Sequence, residues 1–150
     1  MRTSRRSVAG LLAASCVMAG PLWATDGLAQ VAKRQKPPPG ALVYFHYPLD
    51  GLRVPERFTV RIGLRNMGVA PAGVEHAATG HHHLLIDTDP GPLGQPIPSD
   101  YNNIHLGNGQ TEVVVTLPKG PHTLQLLLGD HTHTPHDPPV MSPKITIYVR

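Results

Sequence analysis

From Ala41 to the C-terminus apolar residues recur at every second position, and that period commits the chain to extended structure. Phe58, Val60, Ile62 and Leu64 alternate with Thr59, Arg61, Gly63 and Arg65, the pattern of a strand with one wet face. His122, Leu124, Leu126 and Leu128 alternate with Thr123, Gln125, Leu127 and Gly129, and Ile145, Ile147 and Val149 with Thr146, Tyr148 and Arg150. Val43, Phe45 and Tyr47 open the series, and Val113, Val115 and Leu117 add a further inward set. Pro48-Leu49-Asp50-Gly51, Asn108-Gly109 and Pro118-Lys119-Gly120-Pro121 punctuate these runs as turns, the last reading as a hairpin connection. No eleven-residue window beyond residue 29 has helical periodicity. Thr88 to Asn103, with four prolines, is a long irregular connection of the kind often kept for function.

Composition narrows the class further. A chain of 150 residues holds one core, with room for a tail, but not two. Its 15 Gly and 17 Pro fall short of low complexity, while 40% hydrophobic residues exclude a disordered chain. With 15% charged residues it is no coiled coil, and a barrel of alternating strands and helices does not fit. About seven mostly antiparallel strands predict an all-β fold, a single immunoglobulin-like sandwich over residues 41–150. A cupredoxin-like variant is the next choice.

The N-terminus reads as an address. Arg2, Arg5 and Arg6 precede an apolar run from Val8 to about Gly20, and Gly27-Leu28-Ala29 offers the small residues a signal peptidase needs. Residues 1–29 are therefore expected to be a signal peptide, with periplasmic or secreted localisation. Pro21 and Asp26 interrupt a run already too short for a membrane anchor, so no stable span is expected after cleavage. Ser4-Arg5-Arg6-Ser7-Val8 resembles a twin-arginine signal, leaving the export route open between that and the general one. Ala13-Ala14-Ser15-Cys16 lacks the branched residue usual in a lipoprotein box, which favours a soluble product. Cleavage removes three of the 13 basic residues, one of the ten acidic ones and the sole cysteine, leaving a formal charge of +1 and no thiol. Residues 30–40, with Lys33-Arg34-Gln35-Lys36 and then Pro37-Pro38-Pro39-Gly40, read as a solvated basic tail and a stiff linker. Without a basic face interleaved with aromatics, nucleic acid is not an expected partner.

Ten histidines are the compositional outlier, and they cluster. Gly80-His81-His82-His83, His105, and Asp130-His131-Thr132-His133-Thr134-Pro135-His136 form three groups. In extended chain, residues two apart share a face, so His81 and His83 can point one way, as can His131 and His133. Two such pairs with His105 can supply imidazole nitrogens to one ion, and copper or zinc suits that donor set. The candidate metal ligands are accordingly His81, His83, His105, His131 and His133. The competing account is a polar network of these rings with Asp130 that pins loops at one end of the sandwich. His82 shares a face with Leu84 and Ile86 and reads as structural. His122, in phase with the leucines of its strand, is expected to be buried and bonded to backbone. His46 and His76 read as surface residues, and His136 as a residue that orients its loop through its ring nitrogens.

Several segments resemble a family of exported bacterial proteins catalogued as domain of unknown function 4399. They are Gly63-Leu64-Arg65-Asn66-Met67-Gly68-Val69-Ala70-Pro71-Ala72-Gly73, Gly80-His81-His82-His83-Leu84-Leu85-Ile86-Asp87, and His105-Leu106-Gly107 with Gly109-Gln110-Thr111-Glu112. His122-Thr123-Leu124-Gln125-Leu126 and Asp130 through Val140 complete the likeness. The resemblance implies a single β-rich module of the cell envelope and no established reaction.

The sequence shows no nucleophile elbow, no paired carboxylates, no phosphate-cradling glycine loop and no HExxH helix. A binding module is therefore expected rather than an enzyme, with metal-assisted hydrolysis or dismutation a distant third reading. The absence of cysteine beyond residue 29 excludes a blue-copper centre. The first expectation is an envelope module that holds copper or zinc. The second is a non-metal module whose histidine network shapes loops for an envelope protein or small ligand.

Overall fold

A computed structural model describes residues 34–150. The export signal, its cleavage site and Cys16 lie outside the described residues. Among those described there are nine strands and no helix. They are β1 (Leu42–Tyr47), β2 (Arg53–Val54), β3 (Arg57–Arg65), β4 (Gly68–Val69), β5 (Thr79–Ile86), β6 (Asn103–Leu106), β7 (Glu112–Thr116), β8 (Gly120–Gly129) and β9 (Ile145–Val149). Seven of them have four or more residues, the number the alternation predicts. Among the described residues no helix is long and apolar enough to cross a membrane.

The strands form two sheets. One has three strands in the order β1-β3-β7; the other has six in the order β2-β9-β8-β5-β4, with β6 also paired to β5. The long pairings are antiparallel, and only the two-residue strands β2 and β4 pair in parallel. One buried cluster draws from both sheets: Val43, Phe58, Val60, Ile62 and Val115 from the first, and Leu84, Ile86, Leu124, Leu126, Leu128 and Ile147 from the second. The inward residues are those that the period of two singles out, since adjacent side chains on a strand leave on opposite faces.

The alternation fails to show that β5 and β8 are buried on both sides. From Leu124 to Gly129 every residue of β8 is buried, Gln125, Leu127 and Gly129 included. The second face is covered by the irregular segment at 88–102 and by the turn that carries His133, while 140–142 pairs along the edge of β8. Beneath them lies a smaller apolar cluster of Leu85, Ile97 and Leu127, with Met141 packed against it. The proline-rich connection therefore acts as a lid on the outer face of the six-stranded sheet.

Three expectations need correction. Pro118-Lys119-Gly120-Pro121 is not a hairpin, because β7 pairs with β3 in one sheet while β8 pairs with β5 and β9 in the other. The turn carries the chain between sheets. Arg34 is not part of a solvated tail: its side chain is 16% exposed and its guanidinium bonds the carbonyls of Pro135 and His136. His122 bonds not only to backbone. Its Nε2 pairs with the Pro118 carbonyl at 2.9 Å, but its Nδ1 meets the Asp87 carboxylate at 2.6 Å.

Burial alone would lower the His122 pKa, but the Asp87 and Pro118 bonds and the Asp87 charge outweigh it and raise it above 6.5. A raised folded-state pKa stabilises the fold fully below about pH 6.5 and ceases to as pH climbs through the folded value. Asp87 sits at φ +53°, a conformation asparagine tolerates well. Asp87→Asn should therefore leave the backbone intact, return the His122 pKa downward in an NMR titration, and cost stability at pH 6 more than at pH 8. The cost should be about 1 kcal/mol or less for so exposed a pair.

Candidate metal centre

The site is built on β5, the strand with neighbours on both edges and cover on both faces. His82, Leu84 and Ile86 point to the shared core, where His82 Nδ1 lies 3.0 Å from the Gln110 carbonyl. His81 and His83 therefore point to the outer face, beneath the lid. Both are fully buried. His105 on β6 stands directly opposite His83 in the antiparallel register, which brings its ring to the same face. The fourth ring, of His133, arrives from the turn after β8.

That turn is shaped by one carboxylate. Asp130 Oδ1 accepts from the Thr132 amide at 2.8 Å, the Thr132 hydroxyl at 2.7 Å and the Thr134 amide at 3.0 Å. The His133 amide donates to the Asp130 carbonyl, and the Asp130 amide to that of Thr134. His133 is thereby held at φ +67°, a left-handed conformation that a residue with a side chain rarely adopts. The Ile97 amide in the lid donates to the His133 carbonyl at 2.9 Å.

Two glycines make room. A Cβ at Gly129 would stand 3.1 Å from His83 Nε2 and 3.3 Å from the His133 backbone, so a side chain there would push the turn a few tenths of an ångström off the sheet. A Cβ at Gly107 would fall 2.1 Å from an atom of the His105 ring.

The result is four imidazoles in mutual contact. Ring centroids of His81 lie 4.9 Å from those of His83, His105 and His133. The His83–His105, His105–His133 and His83–His133 separations are 5.1, 4.8 and 6.1 Å. Ligand atoms of His81, His105 and His133 all lie within 4.8 Å of one another, and His83 Nε2 lies 3.0 Å from His81 Nε2. Nitrogens bound to one ion at 2.0–2.1 Å stand roughly 3–3.5 Å apart, and it is the ligand atoms of His81, His105 and His133 that form the group able to hold an ion.

Electrostatics agree with a site for a cation held by neutral ligands. Burial, then the neighbouring imidazoles His133 and His105, push His81 down to about 4, with Asp130 opposing. Burial and then His81, His105 and His133 push His83 down to about 3. His105 is lowered by burial and by His133. All three rings are thus neutral near pH 7 and present lone pairs. Their hydrogen bonding is incomplete: His81 Nδ1, His83 Nδ1 and His105 Nε2 are buried without partners. Such an orphan costs about 1–3 kcal/mol.

Four of the five residues that the sequence singles out, His81, His83, His105 and His133, are brought together. His131 is not. The Asp130 turn replaces the extended chain assumed for His131-Thr132-His133, so the two rings no longer share a face. His131 instead lies 3.3 Å from Gln35 Nε2 and 4.0 Å from the Glu75 carboxylate. His136 is buried with its ring against the backbone of Leu128 and Thr79, although neither ring nitrogen makes a hydrogen bond of good geometry. Met67 packs in the shared core and Met141 in the smaller cluster.

Fold and site define an all-β protein with a buried histidine cluster able to hold a metal ion. The model of the family described as a domain of unknown function, DUF4399, matches residues 60–150, and the chain belongs to that family. No curated protein matches the sequence. Among solved structures it is similar to the endo-beta-1,4-mannanase from Thermotoga petrophila, at 16% identity and a TM-score of 0.44, over 73% of this chain and 20% of that one. The chain thus spans about a fifth of that enzyme, and the likeness carries no inference about fold or function.

Two outcomes follow from the packing. Gly107 has no positive φ, so Gly107→Ala meets only the movable end of the His105 ring. It should shift the melting temperature by no more than a few degrees while displacing His105 from the cluster, seen as a change in its ring NMR signals. The ion-free protein should also lose stability in acid. His81 and His83 have folded pKa values below the unfolded 6.5, so their contribution is full above pH 6.5 and drains away as pH falls toward 4. The melting temperature should drop by roughly 5 °C or more between pH 7 and pH 5, and His83→Asn should flatten that slope.

Proposed function

We propose that this protein is an exported envelope module that holds a copper or zinc ion through His81, His83, His105 and His133. The observation that carries the reading is the convergence of four imidazoles from three distant stretches of chain, with ligand atoms of His81, His105 and His133 within 4.8 Å of one another. An all-nitrogen, neutral donor set suits borderline first-row ions, and the absence of thiols and of carboxylates from the ring cluster argues against softer or harder cations. Four protein ligands would fill a tetrahedral zinc site, the arrangement of a holding site for that ion. In this reading the protein is not an enzyme, and the common core between the sheets supports an immunoglobulin-like sandwich. The export signal read in the sequence supports a periplasmic or secreted location.

One observation favours the second reading. The 3.0 Å contact between His81 and His83 is also a good hydrogen bond between neutral rings, as a purely structural network would have. The two readings separate on ion content. Signal-free, tag-free protein titrated with copper(II) and zinc should bind one equivalent of at least one of them, and a chelator should lower its melting temperature. His81→Ala with His133→Ala should weaken binding at least about hundredfold, the loss of two ligands. Unchanged affinity in that double variant, or a melting temperature indifferent to both ion and chelator, would leave the structural network as the better account.

A further inference from the structure

We infer that residues 34–40 are a strap that fixes the turn carrying His133, with Arg34 as its positioning residue. For its consequence on ion binding this rests on the function proposed above; for the ordering of the turn it does not. The turn at 130–137 lies outside the named strands and contains a residue at positive φ, and the bonds that shape it from within, around Asp130, end at Thr134. Two sides of it are tied down: the Gly73 amide donates to the His131 carbonyl and the Ile97 amide to that of His133. The strap supplies the third. Arg34 Nε donates to the Pro135 carbonyl at 2.8 Å, a second guanidinium nitrogen donates to the His136 carbonyl, and Nη1 stands 3.5 Å from the Asp137 carboxylate.

The rest of the strap repeats the pattern. The Asp137 amide donates to the Gln35 carbonyl at 2.9 Å, and Gln35 Nε2 lies 3.3 Å from His131 Nδ1. At the far end Asn66 Nδ2 donates to the carbonyls of Pro39 and Gly40, anchoring the strap to the loop that follows β3. Arginine is suited to this place because its planar fork reaches two carbonyls and a carboxylate at once, which a lysine ammonium cannot do in one geometry. His131, which the ion cluster does not use, thereby has a role as the strap's contact. The expected cleavage after Ala29 would leave the strap whole, with Arg34 as the fifth residue of the product.

The test compares signal-free wild type with Arg34→Ala and Arg34→Lys, and with Asp137→Asn as a mild control that keeps the carbonyl bonds. In ion-free protein, amide hydrogen exchange at Thr132, His133, Thr134 and Asp137 should speed up at least about tenfold in Arg34→Ala. Arg34→Lys should fall between it and wild type, Asp137→Asn should stay close to wild type, and β5 and β8 should keep their protection. Unchanged exchange in the turn, or a uniform rise across the whole protein, overturns the strap. With bound copper or zinc, Arg34→Ala should release the ion at least about tenfold faster than wild type; equal release rates overturn its positioning role. Should wild type bind neither ion, the proposed function falls, and the exchange result alone decides the strap.

Discussion

Burial of β5 on both of its faces is the constraint on which the rest of the structure depends. A strand with one wet face would let His81 and His83 bond to water, and nothing would follow from their spacing. Here the lid over the outer face removes that option and leaves both rings at zero exposure. Imidazoles deprived of water are driven to the neutral form, which is why burial dominates the depressed pKa values of His81 and His83. Neutral rings in contact have lone pairs and N–H groups to place, and one hydrogen bond between them places only part of that number.

Assembly of the cluster divides between rigid and adjustable parts. His81, His83 and His105 are fixed by sheet register, with His83 and His105 opposite one another. His133 is fixed by a turn whose geometry is written in side chains: Asp130 accepts three bonds, and Thr132 and Thr134 supply the donors. Ligands on strands are precise because the ladder determines them; one on a turn is only as precise as the contacts around it. This is the reason that segments far away in sequence, the proline lid and the strap at 34–40, bear on the cluster.

Much of the architecture was legible because it follows from a period of two. The inward sets on β3, β8 and β9 and the common face of His81 and His83 all come from alternation alone. The two-sided burial of β8 was not legible, since Gln125 and Gly129 on its second face look like solvent-facing residues until a lid is known to cover them. The error at His131 has a physical cause that was visible in the sequence: Asp followed by Thr two and four residues later is the signature of a carboxylate-bridged turn. Arg34 was misread because a short basic run beside prolines usually is solvated, and nothing local reveals carbonyls about a hundred residues away that need donors. Gly107 and Gly129 carry no signal of their own; their purpose appears only once the rings that overlie them are in place.

The central claim is that the four rings share one ion. X-ray absorption at the metal edge of protein loaded with one equivalent of copper(II) or zinc tests it most directly, since multiple scattering from imidazole counts histidine ligands. The account predicts a nitrogen-only shell near 2.0–2.1 Å with four imidazoles, falling to three in His105→Ala. A shell dominated by oxygen, or an imidazole count that His105→Ala leaves unchanged, would contradict it.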